Sequence, residues 1–253
     1  MDTALARKVF GCIDNTTLNA TDNNASVEAF CRRTKLLTLS TDRNPIHVAA
    51  VCVYPRFVAR AHKVLEGSGI SVASVAGAFP HGQLPLPIKV DEVRYAVDQG
   101  ADEVDIVINR GLLLADEDNA VRDEVAAMKT ACGDKTLKVI LETGELPSPA
   151  LIAKAAQLAI DGGADFIKTS TGKIATGATL DAAEIMLNVI NDNLKKTKNS
   201  VGFKAAGGIR KPEDALAYAE LATRILGEEY INKQTFRIGA SSLTEAMHSL
   251  LTF

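Results

Sequence analysis

The sequence contains no stretch of about 18 apolar residues, the length that a bilayer-spanning helix needs, and its first ten residues lack an apolar signal core. Its four cysteines are widely separated and form neither a CxxC pair nor a Cys/His cluster, so neither a metal site nor a disulfide framework is predicted. The net charge is only −3, which gives no indication of a nucleic-acid or membrane surface. Together these absences predict a cytoplasmic protein of a reducing compartment.

The chain also lacks a linker rich in proline, glycine or serine that would divide it into parts. Its 253 residues, of which 47% are hydrophobic and 23% charged, are enough to bury a substantial core. We therefore predict one domain that covers residues 1–253.

Short apolar runs alternate with longer helical patterns along the chain. The runs predict eight strands, of which the first is the weakest, at residues 11–16, 46–53, 71–77, 103–109, 137–142, 164–169, 201–206 and 236–240. Apolar spacing and capping residues predict helices at 88–99, 118–132, 149–161, 179–194, 212–226 and 242–251. This alternation indicates an α/β fold, a single-domain (β/α)8 TIM barrel, with a doubly wound open sheet as the alternative.

The strand predicted at 103–109 carries its charged residues on one face. Valine and isoleucine side chains occupy one side of this strand, while Glu103 and Asp105 occupy the other. An apolar face toward outer helices and a charged face toward the interior favour the barrel, with a polar active centre.

Lys168 and Lys204 each stand near the end of a predicted buried strand, and each is followed by a turn that contains glycine. Removing an ammonium group from water without a partner costs several kcal/mol. A nucleophilic lysine must be neutral, and burial and a neighbouring ammonium both lower its pKa; we expect the neighbour to contribute more. The alternative is a structural ion network in which Lys168 pairs with an acid such as Asp105.

Three further residues are candidates for proton transfer. A carboxylate at Asp105, close to Lys138 and the other lysines, could shuttle protons or act only as their counter-ion. Asp14 is equally ambiguous, because an Asx turn is the commoner role of an aspartate in such a segment.

Three turns with glycine follow the last three predicted strands. They are Thr171-Gly172-Lys173, Gly207-Gly208-Ile209-Arg210 and Gly239-Ala240-Ser241-Ser242. Barrels of this kind frequently bind phosphate at the loops after strands seven and eight, where backbone amides donate and Lys173 or Arg210 would add charge. Plain turn chemistry is the alternative, but three such turns at adjacent strand ends favour a phosphate site.

Seven segments of the chain resemble the bacterial-type deoxyribose-phosphate aldolase family. They are ADFIKTSTGK, VGFKAAGGIR, GADEVDIVIN, LKVILETGEL, CVYPRF, FPHG and RIGASSL, and they span residues 12–243. Each segment alone is a weak signal, whereas their combination is highly specific.

The resemblance implies a class I aldolase on a (β/α)8 barrel that uses neither a metal nor an organic cofactor. Such an enzyme cleaves 2-deoxy-D-ribose 5-phosphate to D-glyceraldehyde 3-phosphate and acetaldehyde in deoxynucleoside catabolism. Its partners would be these small phosphosugars and aldehydes, with no nucleic acid and no membrane, and the family is often a homodimer.

The resemblance also assigns roles to individual residues. It implies that Lys168 forms the Schiff base, that Lys204 lowers the pKa of Lys168, and that Asp105 transfers protons with the help of water, Lys138 and Asp14. It implies that Thr171 and Cys52 line the pocket. The segments implied for phosphate binding contain Gly172, Lys173, Gly207, Gly208, Arg210, Gly239, Ser241 and Ser242.

Two positions depart from the family pattern. Ala205 stands where relatives often have proline, and Phe253 lacks the hydroxyl of the terminal tyrosine that is proposed to assist proton abstraction in some members. We therefore expect proton abstraction to depend on Asp105, Lys204 and water. The alternative functions are a Schiff-base lyase for a longer keto sugar, a sugar-phosphate isomerase and a non-catalytic phosphosugar sensor; the last two need no pair of interior lysines.

Overall fold

The computed structural model describes residues 2–40 and 44–252, and its eight strands close into one parallel barrel. The strands, β1 to β8 in chain order, are Ile13–Thr16, Ala50–Val53, Ser71–Val75, Glu103–Val107, Thr136–Ile140, Phe166–Lys168, Gly202–Ala206 and Phe236–Ala240. Each strand pairs in parallel with the next, and β8 pairs with β1. The predicted single-domain (β/α)8 barrel is confirmed, and the open sheet is wrong. Phe253 lies outside the described residues.

Helices alternate with the strands and cover the outside of the barrel. In the described chain the α-helices, α1 to α10, are Thr3–Phe10, Asn24–Leu36, Val58–Leu65, Leu86–Asp98, Arg110–Leu114, Asp118–Cys132, Pro149–Asp161, Leu180–Thr197, Pro212–Leu226 and Leu243–Thr252. Short 3-10 turns lie at Pro55–Phe57, Thr143–Glu145 and Glu228–Tyr230. Among these helices, none combines the length and the apolar character that a membrane crossing needs.

The six predicted helices are all present, whereas α1, α2, α3 and α5 are not among the predictions. Three of the four missed helices have eight residues or fewer, which is shorter than the window in which a helical period can be recognised. The fourth, α2, has 13 residues, and its buried face includes Thr34 beside Val27 and Cys31. The polar residue interrupts the apolar stripe that would have marked the helix.

The core lies between the strands and the outer helices, and the inside of the barrel is divided into two halves. Val104, Ile106 and Met128 are buried together in the outer core, and burying a side chain of this size stabilises the fold by roughly 1.5–3 kcal/mol. A smaller apolar cluster of Leu18, Ala50, Cys52, Ala73 and Val75 fills the β1–β3 side of the interior. Charged side chains occupy most of the remaining interior.

One glycine in β7 permits close packing near the amino-terminal end of the interior. A Cβ atom at Gly202 would lie 2.3 Å from the ring of Phe166, so only glycine leaves room for that ring. The guanidinium of Arg237 lies over the same ring, 5.5 Å from its centroid. The stacked ring thus supports a buried arginine directly beneath the charged groups of the site.

Candidate active site

Seven charged side chains of the described chain meet inside the barrel, and six of the eight strands contribute them. They are Asp14 of β1, Glu103 and Asp105 of β4, Lys138 of β5, Lys168 of β6, Lys204 of β7 and Arg237 of β8. All seven are buried, and we call them the interior cluster.

Asp105 lies at the centre of the interior cluster and contacts three lysines. Its Oδ2 atom accepts hydrogen bonds from Lys168 Nζ and from Lys204 Nζ, both at 2.7 Å. Its Oδ1 atom accepts one from Lys138 Nζ at 2.9 Å. Lys168 and Lys204 are direct register partners of β6 and β7, so their side chains leave the barrel wall side by side and on the same face.

The two neighbouring lysines differ in their electrostatic surroundings. Burial lowers the pKa of Lys168, the Lys204 ammonium lowers it further, and Asp105 opposes both. Burial also acts on Lys204, but Asp105 and Asp14 outweigh it and raise the pKa of that lysine. Of the two lysines, Lys168 is therefore the one that loses its proton more readily.

The order of causes at Lys168 differs from the expectation that the neighbouring ammonium contributes more than burial. Burial is the first cause, because Lys168 is only 4% exposed. The shared Asp105 oxygen lies between the two ammonium groups and offsets part of their repulsion.

The aspartates of the interior cluster are held ionised by the surrounding cations. Burial would raise the pKa of Asp105, but Lys138, Lys168 and Lys204 hold it well below its ordinary value. Asp14 behaves in the same way, because Lys204, Arg237 and Lys138 outweigh its burial. Asp14 Oδ2 accepts a hydrogen bond from Lys204 Nζ at 2.5 Å, so it belongs to the ion network, and an Asx turn does not describe its role.

We expect the free energy of unfolding to fall at low pH because of these carboxylates. The folded-state pKa values of Asp14 and Asp105 lie below the unfolded value of about 3.9, so both stabilise the fold above that pH. The stability is lost as the pH falls from about 4 toward the folded pKa values, by an amount on the order of a few kcal/mol. Urea denaturation at a series of pH values measures this loss.

A matched pair of variants distinguishes the effect of the buried Asp14 carboxylate on stability from that of an exposed carboxylate. Asp14→Asn should be less stable at pH 7 and should show a shallower loss of stability below pH 4. Asp98→Asn changes an exposed aspartate of α4 and should leave both the stability at pH 7 and the acid slope unchanged. Equal acid slopes in wild type and Asp14→Asn would contradict the assignment.

Glu103 and Arg237 form the deeper part of the interior cluster, and sequence reasoning gave neither of them a role. Arg237 donates to Glu103 through Nη1 at 3.0 Å and through Nη2 at 2.7 Å. Its Nη1 atom also donates to Asp14 Oδ1 at 2.6 Å, and Lys138 forms an ion pair with Glu103. The alternation in β4 placed Glu103 inside, but nothing in the sequence identifies its partner 134 residues away.

A cavity of about 280 Å³ lies at the carboxyl ends of β1, β6, β7 and β8, and Lys168 reaches it. Its lining comprises Thr16, Leu18, Asn19, Lys168, Thr171, Gly172, Lys173, Ala206, Gly207, Gly208, Ile209, Arg210, Gly239, Ala240 and Ser241. The three glycine turns of the sequence therefore meet around one cavity. Thr16, Leu18 and Asn19, from the end of β1 and the loop after it, are wall residues that the sequence did not indicate.

Two predicted pocket residues lie outside this lining. Cys52 belongs to the apolar cluster inside β1–β3, and burial raises the pKa of its thiol to about 11. Ser242 is exposed at the start of α10 and does not line the cavity, although its neighbour Ser241 does.

Gly239 serves the interior as well as the cavity wall. A Cβ atom at this position would lie 3.0 Å from Lys204 Cε and 3.0 Å from Ala206 Cβ. The glycine therefore leaves the space through which the side chain of Lys204 extends.

Glu142 holds the loop that follows β6. Its carboxylate is fully buried and accepts hydrogen bonds from Thr171 N at 3.1 Å and Thr171 Oγ1 at 2.5 Å. Thr171 Oγ1 in turn accepts from Lys173 N at 3.0 Å. The backbone of Glu142 is left-handed, with φ +54°, a conformation that costs energy for a residue other than glycine. Sequence reasoning missed this residue because its role depends on a loop that follows another strand.

The two basic residues at the cavity mouth are exposed. Lys173 Nζ donates to the carbonyl oxygen of Leu18, and so spans the mouth from the β6 loop to the β1 loop. Arg210 lines the opposite loop, after β7. Within residues 2–40 and 44–252, no group of three or more His, Cys, Asp or Glu side chains is placed to hold a metal ion.

Comparison with known proteins gives a consistent result. The model of the DeoC/LacD family aldolases matches residues 9–247. The human deoxyribose-phosphate aldolase is 45% identical over 240 residues, which cover 91% of this chain and 76% of the human protein.

Solved structures agree with this comparison. A crystal structure of a proposed deoxyribose-phosphate aldolase from Toxoplasma gondii ME49 has a TM-score of 0.85 at 25% identity and covers 98% of this chain and 94% of its own. The tetrameric deoxyribose phosphate aldolase of Aeropyrum pernix has a TM-score of 0.76 at 26% identity, with 98% and 92% covered.

Proposed function

Because the chain belongs to the DeoC/LacD family of aldolases, we propose that it cleaves 2-deoxy-D-ribose 5-phosphate through a Schiff base on Lys168. The products are D-glyceraldehyde 3-phosphate and acetaldehyde, and the role is deoxynucleoside catabolism in the cytoplasm. As an aldolase the chain is an aldehyde-lyase. The single observation that carries the proposal is an interior lysine with a lowered pKa that reaches a cavity bordered by glycine turns.

The first steps form an iminium ion on Lys168. The neutral amine attacks the C1 aldehyde of the open-chain sugar, and the resulting carbinolamine loses water. The positive charge of the iminium makes C1 an electron sink for the bond that breaks next. Because the two-carbon product contains C1 and C2, and because C3 carries the hydroxyl group, the retro-aldol step breaks the C2–C3 bond.

Asp105 is suited to accept the proton that this step releases. As C2–C3 breaks, the C3 hydroxyl loses its proton and becomes the aldehyde of glyceraldehyde 3-phosphate, while the electron pair passes to C2 and gives an enamine. Asp105 is ionised and lies 2.7 Å from Lys168 Nζ, so it can relay the proton, directly or through a water molecule, and its lowered pKa makes it pass the proton on rather than keep it. Return of a proton to C2, aided by the charged Lys204, restores an iminium, which water hydrolyses to acetaldehyde.

The glycine turns are suited to hold the phosphate end of the substrate. Gly207 and Gly208 have φ angles of +88° and +84°, which point successive peptide groups in directions that other residues rarely allow. Lys173 and Arg210 supply positive charge on two sides of the cavity. Binding at the phosphate fixes the position of C1 relative to Lys168 and so contributes to the rate of the chemical step.

An acetaldehyde-release assay tests the proposed reaction. We expect 2-deoxy-D-ribose 5-phosphate to yield acetaldehyde and glyceraldehyde 3-phosphate in equal amounts, with EDTA present throughout. Release of a longer aldehyde or ketone from another sugar phosphate, with none from this one, would refute the substrate. Isomerisation of a sugar phosphate without carbon–carbon cleavage would refute the reaction.

Replacing Lys173 by methionine should weaken binding of the phosphate. We expect KM for 2-deoxy-D-ribose 5-phosphate to rise about ten-fold with a smaller change in kcat, because a hydrogen bond to a charged group contributes about 1.5–3 kcal/mol. The rate with unphosphorylated 2-deoxy-D-ribose should change little. Lys211→Met, at an exposed lysine outside the cavity lining, is the control and should leave both KM values unchanged. An equal loss with both sugars would contradict a phosphate contact.

A further inference from the structure

The interior cluster contains one more basic group than acidic groups. Its four basic side chains belong to Lys138, Lys168, Lys204 and Arg237, and its three acidic side chains belong to Asp14, Glu103 and Asp105. Charge that is removed from water without compensation is costly, so a buried cluster of this kind favours a net charge near zero. Three carboxylates can balance three cations, and one of the four bases is then favoured as the uncharged one.

The contacts within the cluster indicate which of the four bases is favoured as the uncharged one. Lys204 contacts two carboxylates, Asp14 and Asp105, and Lys138 contacts the same two and Glu103. Arg237 contacts Asp14 and Glu103. Lys168 contacts only one carboxylate of the cluster, Asp105, and shares that oxygen with Lys204. Among the four bases Lys168 is therefore the one whose positive charge is least compensated.

Arg237 is the one cation of the cluster that cannot become neutral, because a guanidinium keeps its proton in proteins. It occupies both carboxylate oxygens of Glu103 and one oxygen of Asp14, and its Nε atom donates to the carbonyl oxygen of Lys233 at 2.5 Å. The ring of Phe166 supports its other face. Its position and its charge are thus both fixed, and it is not among the residues that line the cavity.

We infer that Arg237 and Glu103 are positioning residues that set the charge balance of the interior cluster and thereby keep Lys168 uncharged and nucleophilic. The inference rests on the proposed Schiff-base role of Lys168. Arg237 acts through the carboxylates: it contacts Asp14 and Glu103, which also contact Lys204 and Lys138, and its fixed positive charge offsets part of the negative charge that these two lysines face. Lys204 and Lys138 also contact Asp105, so their two positive charges compensate its single negative charge. Asp105 therefore stabilises a protonated Lys168 only weakly.

Loss of Arg237 or of Glu103 should therefore change Lys168 in opposite directions. Without Arg237, three carboxylates face three lysines, and every lysine including Lys168 can hold its proton. Without the charge of Glu103, the excess of bases grows, and Lys168 is even less able to hold a proton. When both Arg237 and the charge of Glu103 are lost, three bases face two carboxylates, so the bases again outnumber the acids by one.

Titratable and charged groups outside the interior cluster do not provide this balance. Cys52 of β2 faces Lys168 with a thiol that burial keeps neutral. The remaining groups around it are Asp105 of β4, Lys138 of β5, Lys204 of β7 and Asp14 of β1, with Lys173 and Arg210 at the cavity mouth. The mouth residues are exposed, so water screens their charges.

The test is the pH dependence of Schiff-base formation in Arg237→Met, Glu103→Gln and the double variant. Each protein is incubated with acetaldehyde and borohydride over a pH series, and the rate of labelling of Lys168 is measured by peptide mass spectrometry. The acid limb of the Arg237→Met profile should move to higher pH by about one unit, and that of Glu103→Gln to lower pH. The double variant should lie between them, within about half a unit of wild type.

A matched control and the opposing outcomes complete the test. Lys89→Met removes a fully buried lysine that pairs with Glu124 between α4 and α6, and it should not move the profile even if it lowers stability. Profiles of Arg237→Met and Glu103→Gln that move together, or not at all, would overturn the inference and indicate a structural role only. If Arg237→Met does not fold, Glu103→Gln decides alone, since a profile that moves to higher pH or does not move would overturn the inference.

The proposed function and the inference fail in different ways. Wild-type protein without an adduct on Lys168 would overturn the proposed Schiff base and the inference with it. A wild-type adduct combined with unshifted variants would overturn the inference alone.

Discussion

Replacing Lys168 by methionine is expected to lower the rate of acetaldehyde release by roughly 10⁴-fold or more, because it removes the buried amine on which the iminium ion is proposed to form. Methionine retains most of the apolar stem, and Asp105 keeps its contacts with Lys204 and Lys138. The variant should therefore fold. Its thermal unfolding midpoint should not fall below that of wild type, since Lys168 is the base of the interior cluster with the fewest carboxylate contacts.

Reductive trapping measures the covalent step separately from turnover. Wild-type protein treated with acetaldehyde and borohydride should gain one two-carbon adduct, located on Lys168 by peptide mass spectrometry. Lys168→Met should gain none, whereas the buried-lysine control Lys89→Met should be labelled like wild type. An adduct found only on another lysine, or full turnover by a folded Lys168→Met, would contradict the assignment.

The parts of the site that could be predicted from the sequence are those that depend on strand parity. Side chains of a parallel strand alternate between the outer helices and the interior, so one inward residue fixes all the others of its strand. This rule predicts that Asp105 and Glu103 of β4 face the barrel interior. It also predicts that Lys168 and Lys204 lie close together if their strands are neighbours, which they are. The glycine turns followed from the same argument, because all carboxyl ends of a barrel lie on one side.

The parts that could not be predicted depend on partners that the sequence does not pair. Whether Asp14 caps a turn or joins an ion network is decided by Arg237, 223 residues away. The left-handed Glu142 is tolerated because its carboxylate holds Thr171 across two strand ends, a contact with no local signature. How much burial and how much the neighbouring charge lower the pKa of Lys168 depends on the position of Asp105 between the two lysines. A strand pattern does not specify that position.

Some expectations concern features that the described chain does not test. The homodimer, a phosphate contact at Ser242 and the effect of Phe253 on proton abstraction stay predictions.

Replacing Lys204 by methionine is the variant with the second largest expected effect, and it separates the two causes of the lowered pKa of Lys168. Both ammonium nitrogens lie 2.7 Å from Asp105 Oδ2, so they are at most about 5.4 Å apart. At an effective dielectric constant of about 20, two unit charges at this separation repel by about 3 kcal/mol. Removal of Lys204 should therefore raise the pKa of Lys168.

The direction of the change in activity follows from the fact that only the neutral form of Lys168 reacts. A higher pKa leaves less neutral Lys168 at pH 7, so kcat/KM there should fall about 100-fold or more, and the acid limb of the profile should move to higher pH by one to two units. Activity should recover only partly at high pH, because the charged Lys204 also aids proton return to the enamine. Lys204→Arg keeps the positive charge and is the control: its rate should fall, since the larger guanidinium has to fit beside Gly239, where a Cβ atom would lie only 3.0 Å from Lys204 Cε, but its profile should not shift. An unshifted profile in folded Lys204→Met would contradict the role of the neighbouring charge, and with it the charge balance of the interior cluster, and would leave burial as the cause of the lowered pKa of Lys168.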